Sequence, residues 1–176
     1  MSSLSVSVPR FLRCLVLAGV AFSLASCASE PSLDASESQL SVDGHGLIAQ
    51  DIDGTQHELD AQFESGQAVA LVFWQTWCAN CIKEAPQVEA ARAQWGEQVA
   101  FYGVVSGPDQ AVDEQKMRSL VTKMGLNYPQ LRDRDGSWSG RFDVKGTPTV
   151  MVFSPQGALL YRSNHLPEDW QALLGS

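Results

Sequence analysis

The feature that most constrains the fold is an uninterrupted apolar run that leads directly into two closely spaced cysteines. Residues 68–74 read Ala-Val-Ala-Leu-Val-Phe-Trp, which is typical of a strand covered on both faces of a parallel or mixed sheet. Residues 81–95 have the apolar spacing of a helix, and Gly96 follows as its end. The sequence therefore predicts a central strand and then a helix, with Cys78 and Cys81 at the junction between them.

Two thiols at this spacing, at a helix N-terminus, favour redox exchange. Unpaired backbone N–H groups and the helix dipole stabilise negative charge there, which lowers the pKa of a cysteine below its ordinary value. The thiolate is the reactive form of the side chain. We therefore predict that Cys78 attacks and that Cys81, one turn deeper, displaces whatever Cys78 has bound.

Two other interpretations of the cysteine pair are open. A structural disulfide is one, although closing so short a loop removes little chain entropy. A zinc half-site is the other, although tetrahedral zinc needs four ligands and the sequence has no second cysteine pair. The histidines His45, His57 and His165 are scattered, and we predict that they are surface or hydrogen-bonded side chains. The sequence therefore predicts neither a metal site nor a cofactor.

The rest of the pattern predicts an α/β domain. A strand at residues 99–105 is followed by a helix that begins at Pro108 and ends at Met124, before Gly125. Asp53-Gly54 favours a hairpin turn. The other predicted elements are hairpin strands at 46–52 and 55–59, a helical turn at 60–63, an extended segment at 128–132, a helical turn at 137–142, hairpin strands at 149–153 and 159–162, and a last helix at 167–174. This alternation favours a mixed sheet flanked by helices.

The first 26 residues differ from the rest of the chain. They contain no acid, carry Arg10 and Arg13, and continue as an apolar run over residues 14–24. This run is shorter than the roughly 20 residues that a helix needs to cross a bilayer. The order of features predicts a removed export signal at residues 1–26, with an uncleaved helix as the alternative.

The apolar run ends in Leu24-Ala25-Ser26-Cys27, which resembles the lipobox of bacterial lipoproteins. The resemblance implies that Cys27 becomes the lipid-modified first residue, and two or more lipid chains anchor a protein stably to a membrane. Ordinary secretion with a free Cys27 thiol is the alternative. Ala28 favours the outer membrane, by the sorting rule of enteric bacteria. Residues 27–43 are predicted to be a flexible tether, and residues 44–176 the folded domain.

The charge balance argues against nucleic acid as a partner. The whole chain has 12 basic and 20 acidic residues and a formal charge of -8. Removing residues 1–26 takes away two bases and no acid, which leaves 10 bases against 20 acids and a formal charge of -10. Binding to phosphates or to an anionic membrane surface depends on clustered Lys and Arg. Neither kind of binding is therefore predicted.

Two motifs in the folded part resemble a known family. Residues 73–86, Phe-Trp-Gln-Thr-Trp-Cys-Ala-Asn-Cys-Ile-Lys-Glu-Ala-Pro, resemble the active-site segment of the thioredoxin superfamily, most closely its extracytoplasmic ResA/TlpA-like branch. Residues 146–149, Gly-Thr-Pro-Thr, resemble the cis-proline loop of that superfamily. Residues 125–152 are also similar to ScsD-like proteins of copper-tolerance operons. The resemblance covers residues 44–174 and implies a thioredoxin-like α/β fold, a central mixed sheet flanked by helices, with an N-terminal β-hairpin extension.

The resemblance implies a role for each matched residue. Cys78 is the nucleophile and Cys81 the resolving thiol of a protein disulfide oxidoreductase. Pro148, if its peptide bond is cis, removes a backbone donor, so that Thr147 can pair its main chain with an extended substrate segment. A trans proline at the start of a strand is the alternative. Trp77 is expected to shield the disulfide and to line the substrate surface.

Glu84 is the predicted proton-exchange group. It lies three residues after Cys81, so a helix brings it to the same face one turn later, and it matches an active-site glutamate of ResA-like proteins. A partly buried carboxylate there could exchange a proton with Cys81, its pKa raised by desolvation. A solvated surface glutamate is the alternative. Val72 stands where thioredoxin has a buried aspartate, which leaves Glu84 as the local proton-exchange candidate. The pair Ala79-Asn80 between the cysteines lacks the proline that is common in relatives. Trp74 is expected in the core.

The predicted function is dithiol–disulfide exchange with protein substrates on the periplasmic side of a bacterial membrane. By resemblance, reduction is the expected direction, with electrons from a membrane donor of the DsbD/CcdA type and targets such as apocytochrome c or copper-site assembly proteins. A disulfide-forming oxidase on the same scaffold is the first alternative. A copper-binding or copper-delivery protein that uses both thiols as ligands is the second, although no histidine lies beside the motif.

Overall fold

The computed structural model describes residues 47–175. The predicted signal peptide, the predicted tether with its lipidation site at Cys27, and His45 lie outside the described residues. Within residues 47–175, no helix is both long enough and apolar enough to cross a membrane.

Strands and helices alternate along the described part of the chain. The strands are β1 (Ile48–Gln50), β2 (Gln56–Glu58), β3 (Ala68–Phe73), β4 (Val99–Ser106), β5 (Gln130–Asp133), β6 (Thr149–Phe153) and β7 (Leu159–Ser163). The helices are α1 (Leu59–Glu64), α2 (Ala79–Trp95), α3 (Glu114–Met124), α4 (Ser137–Arg141) and α5 (Trp170–Leu174). Five strands form one mixed sheet in the order β5-β4-β3-β6-β7, and β1 and β2 form a separate hairpin.

The strand β3 lies at the centre of the five-stranded sheet, as its apolar sequence predicts. It pairs in parallel with β4 and antiparallel with β6. All of its residues are buried, because side chains that alternate along a central strand face two covered layers. The two sets are Val69, Leu71 and Phe73 in one core cluster, and Ala68, Ala70 and Val72 in a second cluster that includes α2.

The N-terminal hairpin is confirmed, and it contacts the edge of the sheet. The strands β1 and β2 pair antiparallel, and Gly54 at the turn has a φ of 87°, which glycine adopts without strain. The Ile52 N–H donates to the Gln130 carbonyl at 3.0 Å, which joins the hairpin to the start of β5. Arg118 of α3 forms an ion pair with Asp53 at 2.9 Å. The hairpin therefore contacts both β5 and α3.

The predicted start of α3 is wrong. The sequence predicts a start at Pro108, but the helix begins at Glu114, and the Asp113 side chain accepts a hydrogen bond from a backbone N–H of the first turn at 2.9 Å. The Val112 N–H donates instead to the Pro108 carbonyl in a separate turn, and the Val112 side chain is buried there. The helix starts later because the aspartate carboxylate satisfies a free N–H at a helix end.

The last helix also begins later than predicted, whereas the predicted helix ends are confirmed. The helix α5 begins at Trp170, where the Asp169 side chain caps it, instead of at Pro167. The helix α2 ends before Gly96, as predicted. The helix α3 ends before Gly125, whose φ of 66° is left-handed and satisfies the last carbonyls of the helix.

Asp51 and His57 join the two strands of the hairpin. The His57 Nε2 lies 2.8 Å from Asp51 Oδ2, and Asp51 Oδ1 accepts hydrogen bonds from the N–H groups of Asp53 and Thr55, each at 2.9 Å. Burial opposes ionisation of the Asp51 carboxyl. The hydrogen bonds from His57 and the two backbone N–H groups outweigh burial and hold the pKa of Asp51 below its ordinary value.

We expect the domain to lose stability in acid partly through Asp51. Because the pKa of this carboxyl is lower in the folded state than in the unfolded state, its contribution is complete above the unfolded pKa and is lost as the pH falls through the folded pKa. Asp51→Asn should flatten this part of the profile and lower the free energy of unfolding at neutral pH by about 1–3 kcal/mol. Urea unfolding across the acid range measures both effects.

Asp53→Asn is the matched control for this prediction. Its carboxylate lies on the same turn but is 76% exposed, so its ion pair with Arg118 contributes less than about 1 kcal/mol. An acid profile that is the same in wild type and in Asp51→Asn would contradict the stabilising role of Asp51.

Candidate active site

Cys78 and Cys81 lie at the start of α2 and are joined by a disulfide bond. Cys78 is the N-cap residue of the helix: its Sγ accepts a hydrogen bond from the Cys81 N–H at 3.2 Å, and its own N–H donates to the Gln75 carbonyl at 3.0 Å. Ala79 is the first helical residue, slightly before the predicted start. The sulfur of Cys78 therefore lies, as predicted, where the helix end stabilises negative charge.

Both cysteines belong to a small apolar cluster, and each is 6% exposed. The other buried members are Trp74, Val105, Val112 and Met117, and Ile52 of the hairpin packs against them. Trp74 is thus in the core, as predicted. Met117 was not predicted here, because helical spacing in α3 marks it as inward-facing but does not show which surface it faces. The hairpin and α3 both contribute to the cluster that encloses the disulfide.

The Thr147–Pro148 peptide bond is cis. Pro148 is buried and borders the same cavity as Cys81, so this loop lies against the cysteines, as the resemblance implies. The Thr147 hydroxyl is buried and has no hydrogen-bond partner in the described part of the chain. The roles of Thr147 and Pro148 in binding a substrate stay predictions.

A groove of about 280 Å³ lies between the residues that precede Cys78 and the cis-proline loop. Gln75 and Trp77 line one side, and Lys145 and Thr147 line the other. The Trp77 side chain is 72% exposed, so a large apolar surface is open to solvent next to the disulfide. Its contact with a substrate stays a prediction.

A small cavity of about 20 Å³ borders Cys81. Glu84, Val72, Tyr128 and Pro148 are among its lining residues, and a space of this size holds about one water molecule. Of the described residues that line it, Glu84 alone is acidic, and it is half-buried. Burial raises the pKa of Tyr128 above its ordinary value, so the Tyr128 side chain that lines this cavity stays neutral. Glu84 and Cys81 therefore border one space, as their spacing predicts, whereas proton exchange between them stays a prediction.

The buried side-chain amide of Gln130, which bonds Trp74, was not predicted from the sequence. Gln130 is 2% exposed, its Oε1 accepts from Trp74 Nε1 at 2.9 Å, and its Nε2 donates to the Tyr128 carbonyl at 3.0 Å. Gly103 makes room for it, because a Cβ there would lie 2.1 Å from the Gln130 oxygen. The Gln130 side chain therefore holds the Trp74 ring that borders the Cys81 cavity.

The side chains that could bind a metal ion do not cluster within residues 47–175. No group of three or more His, Cys, Asp or Glu side chains there is arranged to hold a metal ion. His165 Nδ1 lies 3.0 Å from the Tyr161 hydroxyl, and His57 pairs with Asp51. Both described histidines are therefore hydrogen-bonded, as predicted, and neither supplies the copper-binding alternative with a third ligand.

Comparison with known proteins identifies relatives of this chain. The AhpC/TSA family model matches residues 43–162. The soluble secreted antigen MPT53 of Mycobacterium tuberculosis is 30% identical over 99 residues, which are 56% of this chain and 54% of that protein. The thiol-disulfide oxidoreductase ResA of Bacillus subtilis is 29% identical over 119 residues, 67% of this chain and 63% of that protein. The chain thus spans little more than half the length of these curated relatives.

Solved structures share the fold. A secreted disulfide oxidoreductase of Mycobacterium tuberculosis, described as homologous to E. coli DsbE, matches with a TM-score of 0.59 and 25% identity over 78% of this chain and 92% of that chain. The MTB dsbF structure matches with a TM-score of 0.60 and 27% identity over 73% of this chain and 88% of that chain. The thioredoxin-like fold predicted from the sequence is therefore confirmed.

Proposed function

This chain belongs to the AhpC/TSA family, and from that premise we propose that it is a thiol–disulfide oxidoreductase whose redox pair is Cys78 and Cys81. The observation that supports the proposal most strongly is the disulfide itself, placed at the N-terminus of α2 and beside the loop of Pro148. The names of two relatives, the thiol-disulfide oxidoreductase ResA and the homologue of E. coli DsbE, agree with it.

In the reducing direction, the Cys78 thiolate attacks one sulfur of a substrate disulfide. A bond forms between Cys78 and that sulfur, the substrate S–S bond breaks, and the second substrate sulfur leaves as a thiolate that takes up a proton. Cys81 then loses its proton and attacks Cys78 Sγ, which releases the first substrate sulfur as a thiolate. The products are the reduced substrate and the Cys78–Cys81 disulfide, the form that the structure contains.

The surroundings of the pair suit this sequence of steps. The N-terminal end of α2 stabilises the Cys78 thiolate that attacks the substrate disulfide. The groove beside Trp77 has room for an extended substrate segment, and we propose that Trp77, Thr147 and Pro148 bind that segment.

We expect Glu84→Gln to slow the second step more than the first. The Cys81 proton must leave before this thiol can attack, and Glu84 is the acidic group on the shared cavity. A positioned acid–base group contributes about 10²-fold or more, so release of the mixed disulfide should slow by roughly that factor. Stopped-flow mixing of the reduced protein with a disulfide peptide resolves the two steps.

Glu97→Gln is the control for the Glu84 prediction. Glu97 is an exposed acid in the loop before β4, so its neutralisation should leave both rates unchanged. Equal resolution rates in Glu84→Gln and wild type across the pH range would remove Glu84 from the mechanism.

Insulin reduction is the direct test of the proposed activity. The wild-type protein should accelerate precipitation of insulin chains by dithiothreitol, and Cys78→Ser should return the rate to the uncatalysed value. Equilibration with glutathione then decides the direction of exchange. A potential near about -270 mV supports the proposed reductase, and one near about -120 mV supports the oxidase alternative. A wild-type rate equal to that without protein would refute the activity.

The proposed location is outside the cytoplasm, with the chain held to a membrane by lipid on Cys27. Two of the matched proteins are named as secreted, and the lipobox-like segment before Cys27 supports the anchor. A membrane donor of the DsbD/CcdA type would supply electrons there, and cytochrome c maturation or copper-site assembly would use them. Labelled palmitate should be incorporated into wild type and not into Cys27→Ser, whereas an unlabelled wild type contradicts the anchor.

A further inference from the structure

Gln75 connects the loop before Cys78 to the end of a neighbouring strand. It lies just after β3, and its side-chain Nε2 donates to the Ser106 carbonyl at the end of β4, at 2.7 Å. Its own carbonyl accepts the hydrogen bond from the Cys78 N–H at 3.0 Å. One residue thus links the end of β4 to the backbone of the cysteine that opens the helix.

A buried arginine bonds the two carbonyls on either side of the Ser106 carbonyl. The Arg132 side chain is 0% exposed. Its Nη1 donates to the Val105 carbonyl at 2.7 Å and its Nη2 to the Gly107 carbonyl at 3.0 Å. These carbonyls flank Ser106 on both sides. The planar guanidinium therefore fixes the peptide groups around the acceptor that Gln75 uses.

We propose that Gln75 is a positioning residue for Cys78 and that Arg132 is its anchor. We name the pair the Gln75–Arg132 clamp. Among the described residues, the segment 75–77 makes no other side-chain hydrogen bond, so the clamp adds a side-chain restraint to the backbone bond between the Cys78 N–H and the Gln75 carbonyl. The inference rests on the proposed function, because disulfide exchange requires the Cys78 sulfur to lie in line with the bond that it attacks.

The clamp also borders the groove where a substrate segment would lie. Gln75 and Ser106 line this groove together with Trp77. Loss of the side-chain hydrogen bond of Gln75 would loosen the loop that carries Trp77. The same loop carries the Gln75 carbonyl, which accepts the hydrogen bond from the Cys78 N–H. We therefore expect the effect on the rate of attack, and on the pH at which the thiolate forms, to exceed the effect on stability.

The chain offers a matched control at the other end of the same strand. Gln67 lies just before β3, and its Nε2 donates to the Glu97 carbonyl in the loop before β4 at 3.2 Å. Both glutamines thus flank β3 and donate a side-chain amide to a backbone carbonyl at one end of β4: Gln75 to Ser106, the last residue of the strand, and Gln67 to Glu97 in the loop before it. Gln67 lies at the end of β3 away from the cysteines. Gln67→Met therefore removes a hydrogen bond of the same type, though a longer and more exposed one, without touching the site.

The test compares Gln75→Met with Gln67→Met in the reduced protein. Methionine keeps the length of glutamine and removes the amide donor. We expect Gln75→Met to react with a disulfide peptide about ten- to a hundredfold more slowly and to shift the pH profile of Cys78 alkylation by iodoacetamide towards higher pH. Gln67→Met should match wild type in both assays, and both variants should keep the wild-type urea midpoint.

A second variant tests the anchor. Arg132→Lys keeps the charge but replaces the planar fork, which bonds the two carbonyls from two nitrogens, with a single ammonium nitrogen. It should therefore shift the alkylation profile in the same direction. The double variant with Gln75→Met should be no slower than the slower single variant, because both changes act on one contact. Arg134→Lys is the control. Arg132 and Arg134 both pair with Asp109, at 3.3 Å and 2.9 Å, but Arg134 is 41% exposed.

The outcomes separate this inference from the proposed function. If wild type does not exchange disulfides, the function fails, while the alkylation profiles still report whether the clamp positions Cys78. If wild type exchanges and folded Gln75→Met equals Gln67→Met in rate and in pH profile, the function stands and the clamp is refuted. Additive losses in the double variant would refute Arg132 as the anchor.

Discussion

Cys81→Ser is expected to stop the reaction halfway, with Cys78 held covalently to its substrate. The first attack needs only the Cys78 thiolate, but release needs a second sulfur nucleophile, and a serine hydroxyl does not displace a disulfide sulfur under these conditions. The mixed disulfide would lie in a cluster where Cys78 is 6% exposed, so other thiols reach it slowly. Steady-state turnover should fall on the order of 10³-fold or more.

Trapping in cells measures this effect and identifies the partners at the same time. Adducts of Cys81→Ser should appear on non-reducing gels, disappear with dithiothreitol and yield substrate proteins by mass spectrometry. Cys78→Ser is the control and should form no adducts, because the attacking sulfur is absent. A folded Cys81→Ser protein that turns over at the wild-type rate, or that captures no protein, would contradict the assigned roles of the two cysteines.

Phe142→Ala is expected to lower the free energy of unfolding by about 3–5 kcal/mol. The Phe142 side chain is 0% exposed. Its ring centroid lies 5.5 Å from that of Phe153, 6.0 Å from Phe73 and 6.3 Å from Trp138. Removal of the ring leaves a cavity, which the neighbours cannot close by collapse because β3 and β6 are paired within the sheet.

Urea unfolding measures the cost of Phe142→Ala. Ile48→Ala is the control, since Ile48 is an apolar side chain on the hairpin that is 51% exposed, and it should cost less than about 1 kcal/mol. The chain segment after Phe142 leads to the cis-proline loop, and the Phe142 carbonyl accepts a hydrogen bond from Arg162 at 2.8 Å. Activity should therefore be lost at a lower urea concentration, together with the fold. A cost below about 1 kcal/mol in Phe142→Ala would contradict the central packing of this ring.

The fold was predictable wherever a local signal had no strong competitor. The apolar run of β3 favours a covered strand and Asp53-Gly54 favours a hairpin turn, and both elements lie where the sequence predicts them. The start of α3 was predicted at Pro108, because proline is favoured at the first position of a helix. The structure uses Asp113, because Val112 is buried in the preceding turn, and that burial depends on neighbours far away in the sequence.

The candidate site divides in the same way. Cys78, Cys81 and Glu84 follow one another at intervals of about one helical turn, so their arrangement on one side of α2 follows from the helix alone. The partners that surround them are distant in the sequence: Trp74 bonds Gln130 across 56 residues, and Gln75 bonds Ser106 across 31. From the sequence, a polar side chain such as Gln130 is predicted to be exposed, and only its contact with Trp74 explains its burial.

By itself, the sequence determined most of the elements and the place of the two cysteines at the start of α2, because strand alternation, helix spacing and capping depend on neighbours along the chain. Only the tertiary structure decided that Met117 packs beside the cysteines, that Gln130 holds Trp74, and that Arg132 anchors the acceptor of Gln75. These contacts join separate elements. Their positions follow from how the sheet, the hairpin and α3 pack together. The local sequence patterns do not identify these contacts, because many other pairs of side chains in the chain have the same patterns.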